Sequence, residues 1–128
     1  MAEKIGHFSK EIIDLLGSTS ISEGSPIYLG ESNISHIKNR HPYEYDKYFN
    51  NISDIINEPD YVGINPKNGS IGFVKEYRIH SEYIRVAVRC TGKGVFYVRS
   101  LHLLSTFNVE SYIENGTLKH LTAKNDCV

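Results

Sequence analysis

Apolar residues near the start of the chain recur at the spacing of an amphipathic helix, which ends at Gly17. The apolar positions are Phe8, Ile12, Leu15 and Leu16. The segment 17–25 is rich in serine, threonine and glycine, the composition of a flexible connection. Ile27 to Leu29 could form a short edge strand. The pattern therefore predicts an N-terminal helix and linker over residues 1–26.

Helical spacing returns after residue 32. Ser32 or Asn33 can cap a short helix, and Pro42 either breaks that helix or opens the next one. A longer helix is predicted from Tyr43, and it ends at Glu58 because a residue that precedes a proline is pushed out of the helical region. Its wide apolar stripe consists of Tyr45, Tyr48, Phe49, Ile52, Ile55 and Ile56.

Beyond Pro59 the apolar positions alternate, which is typical of strands with one buried face. Four strands are predicted: 61–65, 71–77, 83–90 and 95–103. The first two are joined across Asn68-Gly69, a pair suited to a tight hairpin. Asn108 can cap a last helix that stops at Gly116. The sequence therefore predicts an α+β domain over residues 27–121, with N-terminal helices packed on one face of a four-stranded or slightly larger antiparallel sheet, and a flexible tail over 122–128.

Composition and charge narrow the class of protein. The 128 residues are 40% apolar and 23% charged, as in a globular domain. No apolar run is long enough for a membrane helix and the start does not resemble a signal peptide, so we predict a cytoplasmic protein. Cys90 and Cys127 suggest two free thiols. The net charge of −1 argues against a protein that coats nucleic acid by bulk attraction, although residues 75–99 are locally basic.

The densest polar cluster lies between His36 and His41, with Lys38 and Arg40 between the two imidazoles. Histidine can act as a base or an acid near neutral pH, and nearby cations could stabilise the transition state of RNA cleavage. The alternative is that one or both histidines only cap a helix end, where positive charge is favoured.

The last two strands carry a second cluster. Alternation places Arg85 and Arg89 together, either to hold phosphates or on a solvated outer face. The face that begins with Phe96 and Val98 continues with Ser100 and His102, and so marks either the edge of the core or the floor of a site. Lys75 lies in register with apolar residues, where a lysine usually extends its amine to the surface. Strict alternation would place the strand arginines opposite Ser100, so convergence would need a bulge or an exposed sheet edge.

Metal-ligand spacing is missing from the histidines, and the glycines near Lys93 match no phosphate-binding loop because no helix follows them. We therefore predict no metal and no other cofactor.

Three segments resemble the phage-associated branch of the barnase/EndoU/colicin/RelE-like nucleases: residues 34–42, 55–65 and 97–102. The resemblance extends over about residues 27 to 121. It implies a barnase/RelE-like fold, ribonuclease activity as a toxin or phage-borne effector, and a cleft lined by His36, His41 and Ser100. The last strand of this group more usually reads Arg-Thr-x-Tyr, whereas here it reads Arg99-Ser100-Leu101-His102.

With the resemblance included, the sequence predicts a metal-independent endoribonuclease that acts by 2′-hydroxyl attack. His36 or His41 would act as base or acid, His102 would take the complementary role, and Ser100 would orient the phosphate. RNA is the expected substrate, an immunity protein or antitoxin is a further candidate partner, and the oligomeric state stays open. Candidate substrate-binding cations are Lys38, Arg40, Lys75, Arg89 and Arg99.

Two functions of other classes remain. The chain could be an inactive member of the fold that binds RNA or a protein. It could also be a host-takeover protein whose partner surface is the tyrosine-rich helix, an option that exposed Tyr45 and Tyr48 would favour.

Overall fold

The computed structural model describes residues 2–18 and 20–121. Five α-helices lie within these ranges: α1 (Lys10–Leu16), α2 (Glu31–Arg40), α3 (Pro42–Tyr48), α4 (Ile52–Asn57) and α5 (Thr106–Glu114). The strands are β1 (Glu3–His7), β2 (Pro26–Leu29), β3 (Tyr61–Ile64), β4 (Ile71–Tyr77), β5 (Glu82–Cys90), β6 (Phe96–Leu104) and β7 (Lys119–His120). The predicted tail and Cys127 lie outside the described residues, and Cys90 is a free, exposed thiol.

All described strands belong to one sheet, in the order β1-β2-β6-β5-β4-β3-β7. The α+β class is confirmed, but the expected antiparallel sheet of four or slightly more strands is wrong in size and direction. The sheet has seven strands, and β2 runs parallel to β6. Neither end strand carries a strong local signal, because β1 has a single large apolar residue and β7 has only two residues.

The two faces of the sheet are covered by different helices. The face that we call the helix face carries the main core, in which Ile37, Ile55 and Ile56 of the first helices pack against the strands. The opposite face, the α5 face, is covered in part by Val109 and Tyr112 of α5. The N-terminal helices therefore share one face, and the last helix lies on the other.

Local sequence signals explain most helix ends, and the structure differs from the predicted helices in two places. Ser9 Oγ accepts a hydrogen bond from Ile12 N at the start of α1, and Gly17 ends that helix at φ +68°. Ser105, not Asn108, caps α5. The long helix predicted from Tyr43 is interrupted by one 3₁₀ turn, Phe49–Asn51.

Residues 3–8 contact the body of the domain directly. β1 pairs with β2 across the predicted boundary at residue 26, and Phe8 N donates to Ser25 O. The Phe8 ring is 0% exposed and lies 4.7 Å from the Phe96 ring. These contacts place β1 and Phe8 in the same sheet and core as the later strands.

None of the helices within the described ranges is both long and apolar enough to cross a bilayer.

Candidate active site

A β-bulge in β6 decides which side chains share a face. Ala87 pairs with Ser100, but Val88 pairs with Val98, so Arg99 is an extra residue in β6. Val98 and Leu101 therefore both point into the main core, and Ser100 turns to the opposite side of the sheet. The expectation that Ser100 and His102 continue the face of Phe96 and Val98 is wrong, because that expectation assumed strict alternation.

The bulge brings polar residues of β5 and β6 together on the α5 face. His102 is directly opposite Arg85, and residues directly opposite in an antiparallel pair share a face. Ser100 Oγ lies 3.3 Å from His102 Nδ1, within hydrogen-bonding distance. The convergence that required a bulge is thus present for Arg85, Ser100 and His102.

His41 reaches this group from the junction of α2 and α3. Its backbone N–H donates to Ile37 O, and Pro42 begins the next helix. The rings of His41 and His102 have centroids 5.8 Å apart. Two imidazoles separated by sixty residues in the chain therefore lie side by side.

Two carboxylates hold α3 in place beside His41. β2 pairs with β6 only at Phe96 and Tyr97, so the later residues of β6 are not paired with β2. There Glu44 Oε2 accepts a hydrogen bond from Leu103 N. His41 Nδ1 lies 3.9 Å from the same carboxylate oxygen. Glu82 holds the other side of the helix.

The Glu82 carboxylate at the start of β5 accepts hydrogen bonds from Tyr43, Tyr48 and Lys47. The bonds from the Tyr43 and Tyr48 hydroxyls, with a smaller effect of Lys47, lower the pKa of Glu82 to about 2. Burial raises the pKa of Tyr48, which therefore keeps its proton as a donor. This cluster fixes α3 to β5 and thereby fixes the position of His41.

Arg85 is a half-buried cation in the floor of the site. Its Nη2 lies 3.4 Å from the buried Ser70 Oγ. A Cβ at Gly72 would lie 2.5 Å from Arg85 Nε, so the guanidinium fits only because residue 72 has no side chain. Burial lowers the pKa of Arg85, but a guanidinium stays charged in proteins.

Arg85 and His102 line a cavity of about 370 Å³ between the sheet and α5. Its wall also contains Lys67 from the β3–β4 turn and Tyr112 from α5. This volume is within the range of small-ligand pockets, and the cavity offers a cation, an imidazole and a phenol hydroxyl to whatever enters it. The remaining polar residues of the wall are Asn65, Asn115 and Thr117.

The pKa of His102 is lowered to about 4. Burial is the largest cause, the positive charge of Arg85 and proximity to His41 add to it, and Glu44 has a smaller opposing effect. His102 is therefore a neutral imidazole near pH 7. A neutral imidazole can accept a proton, and it accepts or donates one hydrogen bond at each nitrogen.

The structure brings together three of the four predicted catalytic residues, His41, Ser100 and His102. His36 is exposed on α2, and no contact within the described residues joins it to the other three. Its catalytic role stays a prediction. Lys38 lies over the Tyr45 ring at 5.7 Å, and Arg40 is exposed.

The three predicted cations of the strands lie in two other places. Lys75 is on the helix face, where its Nζ donates to Glu58 O at 2.7 Å, so it is not part of the Arg85–His102 group. Arg89 and Arg99 lie towards the opposite end of β5 and β6 and line a separate open hollow.

The sequence analysis did not include Arg85 among the candidate site residues, and it did not select Glu44. Arg85 had a signal, because alternation placed it beside Arg89 on one face. No sequence signal indicated Glu44, because its hydrogen-bond partner is a backbone N–H on a strand that is distant in the chain. Within the described residues, no group of three His, Cys, Asp or Glu side chains is arranged to hold a metal ion.

The tyrosine-rich helix does not offer the exposed surface on which the host-takeover hypothesis depended. Tyr48 is 2% exposed, and Tyr45 packs against the core with its ring 4.8 Å from that of Phe49. Both observations lower the support for that function.

The fold and site define an α+β protein with two paired imidazoles, one of which lines a cavity on the sheet together with a half-buried arginine. Residues 3–111 match the model of the family described as phage-Barnase-EndoU-ColicinE5/D-RelE like nuclease 3. The chain belongs to that family, which confirms the resemblance seen in the sequence and implies a nuclease-like function. No curated protein and no solved structure matches the chain.

Proposed function

We propose that this protein is a metal-independent endoribonuclease that cleaves RNA by attack of the 2′-hydroxyl on the adjacent phosphate. The observation that carries the proposal is the group formed by His41, His102 and Arg85, of which His102 and Arg85 line one cavity. It contains two proton-transfer groups and one fixed cation, which are the groups that this reaction needs.

In the proposed reaction the 2′-oxygen forms a bond to phosphorus and the bond from phosphorus to the 5′-oxygen breaks. The products are a 2′,3′-cyclic phosphate and a free 5′-hydroxyl. One group removes the proton of the 2′-hydroxyl, and another supplies a proton to the leaving oxygen. A cation stabilises the negative charge on the non-bridging oxygens in the transition state.

His102 is the candidate base, because its lowered pKa keeps it neutral near pH 7. His41 is the candidate acid, and at a ring separation of 5.8 Å the two imidazoles can contact neighbouring oxygens of one phosphate. Arg85 would bind the non-bridging oxygens. The contact between Ser100 Oγ and His102 Nδ1 supports a positioning role for Ser100.

The test is RNA cleavage by the purified protein in EDTA, with mass analysis of the product ends. His41→Ala and His102→Ala should each reduce kcat/KM by about 10²- to 10⁴-fold, the usual contribution of a general acid or base. His7→Ala is the matched control, since His7 is exposed on the edge strand β1. Full activity of both variants would contradict the assignment. Loss of activity only in His36→Ala would move the catalytic role to His36.

A second candidate function is an inactive member of the family that binds RNA or a protein. His102 favours it, because it stands where the family more usually has tyrosine. RNA binding without cleavage in any buffer would support this function. The proposed biological role is that of a toxin or phage-borne effector with an inhibitor protein as its partner. Cleavage of RNA by the purified protein would support this role.

A further inference from the structure

Four side chains form a straight row across the end of the α5 face that is remote from the cavity. Lys4 pairs with Tyr28, Tyr28 with Tyr97, and Tyr97 with Arg89. Side chains at paired positions of neighbouring strands share a face, and Ile27 and Phe96 beside the tyrosines point into the core on the other side. The row therefore has a cation at each end and two aromatic rings between them.

The two rings form a half-exposed aromatic surface. The centroids of Tyr28 and Tyr97 are 5.9 Å apart and the ring planes are inclined by 41°. Both side chains are only partly buried, and no hydrogen bond of either hydroxyl occurs within the described residues. Their ring surfaces are thus open to a planar group from solvent.

The cations at this end of the sheet have no acidic partner among the described residues. Arg89 and Arg99 are exposed, and together with Tyr97 they line an open hollow of about 550 Å³ beside the start of α2. Lys4 is exposed at the edge strand. The aromatic surface is therefore flanked by exposed cations, which complement a polyanion.

The row is continuous with the proposed active site. Arg89 and Arg85 are four residues apart on β5 and share a face, which corresponds to about 13 Å along the strand. Ala87 and Ser100 lie between them, so only small side chains separate the two regions. An extended strand bound at the cavity could follow the sheet surface to the tyrosines.

We propose that Lys4, Tyr28, Tyr97 and Arg89 form a subsite for single-stranded RNA that flanks the scissile phosphate. The tyrosine rings stack on unpaired bases, and Lys4, Arg89 and Arg99 bind the phosphates between them. The occupant is single-stranded because bases in a duplex are stacked on one another and do not offer their faces to a protein ring. This inference rests on the proposed function, since it names the substrate class of the same site.

The test measures binding, by fluorescence anisotropy, of a labelled single-stranded RNA whose 2′-oxygens are methylated and which therefore cannot be cleaved. Tyr28→Ala and Tyr97→Ala should each weaken binding by about 5- to 150-fold, as expected for one stacked base. If the alanine variants do not fold, Tyr28→Leu and Tyr97→Leu replace them. These variants keep an apolar side chain without the ring, and they should weaken binding by a similar factor. Phe107→Ala is the control, because Phe107 is an exposed aromatic residue outside the row.

The salt dependence tests the role of the arginine. Arg89→Gln should reduce the slope of log K against log salt by about 0.7, the value for one phosphate contact to a single strand. Arg78→Gln, at the exposed β4–β5 turn, should leave the slope unchanged.

Unchanged binding in both tyrosine variants, or equally tight binding of a duplex of the same length, would overturn the subsite. The two proposals fail separately. Binding that depends on the tyrosines without any cleavage of unmodified RNA would retain the subsite and reject the nuclease. Cleavage with no effect of the tyrosines on binding would do the reverse.

Discussion

At the scale of single residues, the protonation state of His102 is determined more by its surroundings than by its residue type. Its imidazole is largely buried, and both Arg85 and His41 disfavour its protonation. A histidine on an exposed strand would change charge near pH 6.5. Here burial and the arginine keep the ring neutral well below that value, which makes it available as a base at neutral pH.

The lowered pKa of His102 predicts a specific loss of stability in acid. Below about pH 6.5 the unfolded chain binds a proton at residue 102, whereas the folded chain binds it only near pH 4. The free energy of unfolding should therefore fall as pH falls through this window, by up to about 3 kcal/mol from this group. His102→Gln removes this contribution, so urea denaturation should show a shallower decrease between about pH 7 and about pH 4.5. Parallel pH profiles for the two proteins would contradict the prediction.

At the scale of elements, the site depends on the register of the three neighbouring strands β4, β5 and β6. The bulge at Arg99 sets the side of Ser100 and His102, and the close passage of β4 leaves room for Arg85 only beside a glycine. Neither condition is visible within one strand.

Gly72→Ala tests the contact between β4 and β5. The new Cβ would lie 2.5 Å from Arg85 Nε, so the guanidinium, as the flexible partner, should leave its position beside Ser70. The pKa of His102, read from its ring protons by NMR, should then change from about 4, because the distance between its ring and a neighbouring cation changes. Cleavage should fall by about 10²-fold, the cost of a misplaced catalytic group.

The matched control is Gly92→Ala. Gly92 lies in the β5–β6 hairpin, and a Cβ there meets no atom within 4 Å. It should change neither the His102 titration nor cleavage. An unchanged His102 pKa in Gly72→Ala would show that Arg85 does not depend on the absence of a side chain at position 72.

At the scale of the whole molecule, the N-terminal residues belong to the packing that supports the site. Phe8 is fully buried between Phe73 and Phe96, at ring distances of 5.9 and 4.7 Å. Phe96 begins the strand that carries Ser100 and His102. The first strand and Phe8 thus pack against the sheet on which the site is built.

Phe8→Ala should lower the free energy of unfolding by about 3–5 kcal/mol, the usual cost of removing a buried phenylalanine. Phe107→Ala is the control: that ring is 78% exposed, and its removal should change stability by less than about 0.5 kcal/mol. Chemical denaturation measures both. A small effect of Phe8→Ala would support residues 1–26 as a unit separate from the nuclease domain.

The sequence by itself determined the α+β class, the order of most helices and strands, and the residue types of the site. Helical spacing around Ile12 and alternation from Ile84 to Val88 are local patterns, and local patterns can be recognised from the sequence alone. For the same reason the chemistry of His41, Ser100 and His102 could be proposed from residue type and from the family resemblance.

Only the tertiary structure decided which of these residues meet. The extra residue at Arg99, the contact between Glu44 and Leu103, and the space that Gly72 leaves for Arg85 all join positions distant in the chain or on different strands. The side of a strand is set by its pairing, since a shift of one residue reverses every side chain. Pairing is a property of two strands together, and a single strand's sequence does not contain it.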